Sequence, residues 1–161
     1  MTSREKKSGR GFPELQLGEK SKGVRDFFTA ALWHQTVGSR VLAVRPPHPG
    51  RTLRAYARCS RSGKGAVTLV VVNVGQQARG VTVALKGGAF PAHAEQRMYN
   101  LRAADGTHSS RVASLNGRAL ALANGGMPQF KPIIKPAGRE VAVAALGVAL
   151  IDVDAHAHAC L

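Results

Sequence analysis

The stretch GAVTLVVVNV (65–74) is apolar almost throughout and rich in β-branched side chains. It is too short for a buried helix, so it reads as a central strand covered on both faces. Just before it, TLRAYARC (52–59) alternates, with Leu53, Ala55, Ala57 and Cys59 to one side and Arg54, Tyr56 and Arg58 to the other. A period of two is the mark of a half-buried strand. The same grammar continues outward. RVLAV (40–44) reads as a short strand closed by RPPHPG, and RGVTVALK (79–86) alternates with Val81, Val83 and Leu85 inward. AEQRMYNLR (94–102) is a weaker strand, and a last strand or pair covers about 140–153. In SRVASLNGRALALA two short apolar runs flank Asn116-Gly117, the strongest two-residue hairpin signal. Pro128, Pro132 and Pro136 exclude a central strand between about 124 and 138.

Upstream the pattern changes to a helix. In VRDFFTAALWHQTVGS (24–39), Asp26 can cap the first turn, and Phe27, Phe28, Ala31, Leu32 and Trp33 supply a heavy apolar surface. Gly38 is a natural stop, which gives a helix over about 26–37. One helix followed by about eight short strands predicts a mainly β fold, an antiparallel β-sandwich. Residues 1–23 are rich in Lys, Glu, Ser and Gly and read as a flexible leader without a motif. The expected organisation is therefore a leader (1–23), a helix (24–38) and a β-sandwich (39–161).

The chain of 161 residues carries 23 Lys and Arg against 9 Asp and Glu, a net charge of +14. That balance favours polyanionic partners, acidic glycans among them. Arg51, Arg54, Arg58 and Arg61 around one strand are the candidate contacts, and a solvated outer face is the plainer reading of the same arginines. No aromatic ladder runs among the basic residues, so specific nucleic-acid binding is not expected. No run reaches the ~18–20 apolar residues of a membrane span, and the basic N-terminus has no apolar segment behind it to make a signal peptide.

Catalytic groups are sparse. Glycosidic hydrolysis takes two carboxylates, ~5–5.5 Å apart for retention or ~6.5–9.5 Å for inversion. Asp152 and Asp154 can share a strand face at roughly 7 Å, but a solvated strand end explains them as well. No G-x-S-x-G elbow is present, and Ser109-Ser110 beside His108 is a turn composition. The closing DAHAHACL offers His156, His158 and Cys160 on one face of an extended strand, three of the four ligands that a structural zinc takes. His34, His48, His93 and His108 are scattered, and no cofactor motif appears. The competing use of Cys160 is a disulfide with the one other cysteine, Cys59. If joined, they close a loop of about 100 residues, for which chain entropy gives ~4–5 kcal/mol. Such a bond belongs to an oxidising compartment.

DFFTAALWHQTVGSRVLAV, LRAYARCS, GAVTLVVVNV, YNLRAADGTHSSRVASLNGRALAL and the closing AHACL, in this order, resemble the C-terminal part of heparanase and heparanase-like proteins, glycoside hydrolase family 79. The wording is most similar to the plant heparanase-like β-glucuronidases. The resemblance covers about residues 24–161. It implies a (β/α)8 barrel followed by a β-sandwich partly built from the chain's C-terminus, with residues 26–37 as the last barrel helix. It also implies a bond between Cys59 and Cys160. The family's two catalytic glutamates lie on barrel strands upstream of this region, and Glu5, Glu14 and Glu19 do not stand in for them. Phe27 stands where the family commonly has a tyrosine near the substrate side of the barrel. The resemblance thus implies a C-terminal sandwich from a truncated chain, a fragmentary gene model or a short isoform. Its partner would be the missing barrel, its parent activity retaining hydrolysis of β-glucuronides, and its setting secreted, membrane-associated or lysosomal. A free-standing basic sandwich that binds acidic glycans is the alternative.

Overall fold

The computed structural model describes residues 25–45, 52–86, 89–107, 110, 112–122 and 126–161. The elements run α1 (Arg25–Thr36), β1 (Val37–Leu42), β2 (Leu53–Ser60), β3 (Ala66–Asn73), β4 (Arg79–Val81), β5 (Glu95–Ala103), β6 (Ala113–Leu115), β7 (Arg118–Ala119), β8 (Ile133–Pro136), β9 (Val141–Val143) and β10 (Gly147–Asp154). A 3-10 turn, His158–Cys160, follows. Eight strands form one antiparallel sheet in the order β1-β2-β3-β10-β5-β6-β7, with β8 paired to β5 beside β6. β4 and β9 form a separate two-stranded sheet. The fold is mainly β with one helix, as the strand periodicities predict, but the two sheets are very unequal. No helix among the described residues is long and apolar enough to cross a membrane.

β3 takes the place its composition demands, between β2 and β10 and buried on both faces. Its alternate side chains serve two cores. Val70 joins Phe28, Leu32, Tyr99, Leu101, Leu115 and Leu150 under α1. Val71 joins Met98, Val141, Val143, Ile151 and Val153 under the small sheet. α1 is attached through one stripe: Phe28 and Leu32, four residues apart, are fully buried, each worth ~1.5–3 kcal/mol of transferred area.

Several local readings shift. The helix ends at Thr36 and β1 begins at once, so Gly38 is a strand residue and not a stop. A Cβ there would lie 2.5 Å from the Cys59 carbonyl oxygen, which explains the glycine by close strand approach. The segment 94–102 is not the weaker strand its pattern suggests: β5 is nine residues long and lies inside the large sheet. Two of its amides donate toward the small sheet's side, Gln96 Nε2 to Arg139 O (2.6 Å) and Asn100 Nδ2 to Ala142 O (3.0 Å), while the buried Gln96 Oε1 has no partner among the described residues. The pair at 140–153 divides between the two sheets, β9 in one and β10 in the other. Asn116 and Gly117 turn the β6–β7 hairpin with φ of 50° and 83°, the left-handed pair a tight hairpin needs.

Candidate functional site

Among the described residues, the candidate side chains fall in three places. The first is the junction of α1 with the sheet. The Thr36 carbonyl accepts from Arg61 N (2.9 Å), Thr68 Oγ1 (3.0 Å) and Ser60 Oγ (3.2 Å). A helix C-terminus leaves its last carbonyls without intrahelical partners, and here strands β2 and β3 supply donors. Arg61 Nε reaches Val37 O (3.0 Å) and Arg58 Nη1 reaches Gly38 O (3.3 Å). The Arg58 guanidinium also lies 5.8 Å from the Trp33 ring centroid, in cation–π range. Two of the candidate polyanion contacts are therefore engaged within the fold. Arg54 is exposed, and Arg51 lies outside the described residues. The outer side of α1 leaves Phe27 44% and Trp33 38% exposed, with Phe27 edge-on to buried Phe28 at 5.5 Å.

The second place is a charge cluster that periodicity does not announce. Arg97 on β5 lies 3.7 Å from Asp152, 3.7 Å from Asp154 and 3.9 Å from Glu95. Asp152 is buried, with its Oδ1 3.4 Å from Thr68 Oγ1, whose one proton is shared with the shorter bond to Thr36 O. Residues 58, 68, 152 and 97 stand opposite one another across β2, β3, β10 and β5, so register alone aligns them. Burial, and then the Asp152 charge, push the neighbouring Tyr99 phenol up, while Arg97 pulls it partly back. Asp152 and Asp154 do share a face, but both turn to one guanidinium. At 1% exposure Asp152 is out of a substrate's reach, so the two carboxylates cannot flank a glycosidic bond. The sequence signal was an Asp in the apolar run ALIDV, which needs a cationic partner once buried.

The third place is the tail. Cys59 and Cys160 are bonded, with Sγ–Sγ 2.12 Å and Cα–Cα 5.3 Å across 101 positions. Ala157 N donates to Gly65 O (2.8 Å), Gly65 N to Cys160 O (2.9 Å), and the Arg40 guanidinium to Ala159 O. β10 stops at Asp154, and His156 turns the chain with φ 46° into the 3-10 turn. The shared face of His156, His158 and Cys160 is lost with that turn: both imidazoles are exposed and the sulfur is in the disulfide. Among the described residues no group of three or more His, Cys, Asp or Glu is placed to hold a metal ion.

Between the large sheet and the segment after β4 runs an apolar cleft of about 540 Å³. Its floor is Ala55, Ala57 and Ala155, its wall Leu85 and Phe90. The small alanine side chains of the floor leave the space before Leu85 and Phe90 unfilled.

No family model matches the chain. It is similar to Heparanase-like protein 1 of Arabidopsis thaliana, 27% identical over 155 residues, covering 78% of this chain and 28% of that protein. It is 28% identical over 120 residues to Baicalin-beta-D-glucuronidase of Scutellaria baicalensis, covering 74% and 22%. Heparanase-like protein 2 of Arabidopsis thaliana is 26% identical over 137 residues, covering 67% and 25%. Among solved structures, a GH30 endoxylanase from Clostridium papyrosolvens C71 superposes with a TM-score of 0.38 at 15% identity, over 66% of this chain and 21% of that one. The chain spans between 22% and 28% of the length of these curated relatives. It is related to heparanase-like proteins, the group its motifs resemble.

Proposed function

We propose that this chain is a non-catalytic β-sandwich region of a heparanase-like glycoside hydrolase, one that packs against the catalytic barrel of such an enzyme. The carrying observation is the outer side of α1, where Phe27 and Trp33 stay open to solvent while Phe28 and Leu32 fix the helix from beneath. Exposed aromatics on a helix so firmly seated mark an interface more readily than a free surface. The charge cluster agrees with this reading, since its acids surround Arg97 and Asp152 is buried. The parent activity would be retaining hydrolysis of β-glucuronides, by the two barrel glutamates of the resemblance. The Cys59–Cys160 bond favours an oxidising, secretory or lysosomal setting.

The test is complementation. The 161-residue chain is co-expressed with the barrel region of a heparanase-like relative, and co-purification and cleavage of a chromogenic β-glucuronide are followed. Association should be lost on replacing Phe27 and Trp33 with Ser, and the chain alone should be inactive. Hydrolysis by the chain alone would sink the proposal.

A second reading, a basic module for acidic glycans, rests on the +14 charge and on exposed Tyr56 between Arg54 and Arg58 on the same strand face. It requires heparin retention that falls steeply with salt and weakens on Arg54→Gln.

A further inference from the structure

The β6–β7 hairpin carries chemistry as well as a turn. Asn-Gly is the dipeptide most open to spontaneous loss of the side-chain amide, because glycine leaves the following backbone nitrogen unhindered. At Gly117 nothing lies within 4 Å of where a Cβ would stand. The folded chain opposes the reaction from the other side. Asn116 Oδ1 accepts from Asn100 N (2.9 Å), while Nδ2 donates to Met98 O (3.2 Å) and Lys131 O (3.0 Å). One carboxamide thereby ties the hairpin to β5 and to the proline-rich segment, and it is held by three bonds in a fixed rotamer.

We infer that Asn116 is a modification site guarded by the fold, converted to aspartate or isoaspartate once the hairpin leaves β5. In the step, the Gly117 backbone nitrogen attacks Asn116 Cγ. The new C–N bond closes a succinimide, the Cγ–Nδ2 bond breaks, and ammonia departs with the nitrogen's proton. Water then opens the ring at either carbonyl, so the net change is one amide and one water to one acid and one ammonia. The product cannot return to its place. A carboxylate has no proton for Met98 O or Lys131 O and would stand with its charge against both carbonyls. The isoaspartyl form also adds a methylene to a backbone turn that requires two left-handed residues. Opening of the hairpin is thus recorded irreversibly, and the converted chain keeps it open.

The sequence contains its own reference, Asn124-Gly125. The full chain is held at mildly alkaline pH, folded or in denaturant, then digested and mapped by mass with isoaspartate detection. In denaturant both asparagines should convert at comparable rates. In the folded chain Asn116 should slow by about tenfold or more, which an opening free energy of ~1.4 kcal/mol already provides. Equal rates for Asn116 in the two states would overturn the guarding. Asn116→Asp should raise hydrogen exchange across β6 and β7, and native-like protection there would overturn the claim that the product cannot re-dock. Should that variant fail to fold, the rate comparison on the unaltered chain still decides the guarding.

Discussion

The two faces of the large sheet are closed by different means. The α1 face is closed by bulk: Phe28, Leu32, Tyr99, Leu101 and Leu150 fill it, and the helix end is pinned by three donors on Thr36 O. The opposite face has two strands of three residues each, β4 and β9, over a floor that turns to alanine toward β2. It is held by other devices. Asn73, Gln96 and Asn100 reach across to carbonyls at 139–144, and the disulfide bolts the tail to β2 beside the cleft. Packing density decides the first face. On the second, Val71, Met98, Val141, Val143 and Ile151 pack under the small sheet, and hydrogen bonds and one covalent tie add to that core toward the cleft.

The sharpest way to break this comparison is to truncate one aromatic on each face. Phe28→Ala should cost ~3–5 kcal/mol, as for a fully buried ring. Phe90→Ala, half-buried at the cleft wall, should cost about 1–2 kcal/mol, because part of its area is already in water. Urea denaturation of the two variants measures the gap, and equal losses would mean that the cleft closes in solution. Next in size is Cys160→Ser, expected at ~2–5 kcal/mol, with the loop-closure figure at the upper end. Its signature should be one-sided: faster hydrogen exchange in the tail and at the Gly65 end of β3, with the buried stripe of α1 unchanged. Uniform loosening of both faces would remove the distinction between them.

The legible parts of this fold are those where one residue type settles the matter locally. The β-branched run of β3, the apolar helix that becomes α1 and the Asn116-Gly117 turn are of this kind, although Phe27 and Trp33 of its predicted apolar surface stay exposed. What was hidden depends on partners distant in the chain. Nothing near Gly38 announces that Cys59 O passes beside it, and Gln96 and Asn100 weaken β5 as a pattern until β9 supplies their acceptors. The same holds for chemistry. DAHAHACL reads as an extended face of ligands only while the strand is assumed to continue, and the left-handed His156 ends it. Arg97 carries no local sign of a role, because the three acids around it come from its own strand and from one more than fifty residues away. The resemblance to heparanase-like proteins was legible because it rests on the order of many segments, each weak alone.

The smallest expected effect separates the faces by pH. Tyr99 lies on the α1 face, 7% exposed, beside Asp152. Its phenol is raised by burial first and by the Asp152 charge second. A raised folded-state value means that the folded chain holds this proton more tightly than the unfolded chain. The stabilisation is therefore complete below the unfolded phenol's value, about 10, and is lost as pH rises through the higher folded value. Denaturation midpoints followed from pH 8 upward should fall above ~10, with α1 and β5 loosening first. Tyr99→Phe should flatten that fall, and Asp152→Asn should reduce it while leaving Arg97 to Asp154 and Glu95. An alkaline profile unchanged by Tyr99→Phe would place the loss on the disulfide-tied face instead, where side-chain hydrogen bonds and one covalent tie share the closure.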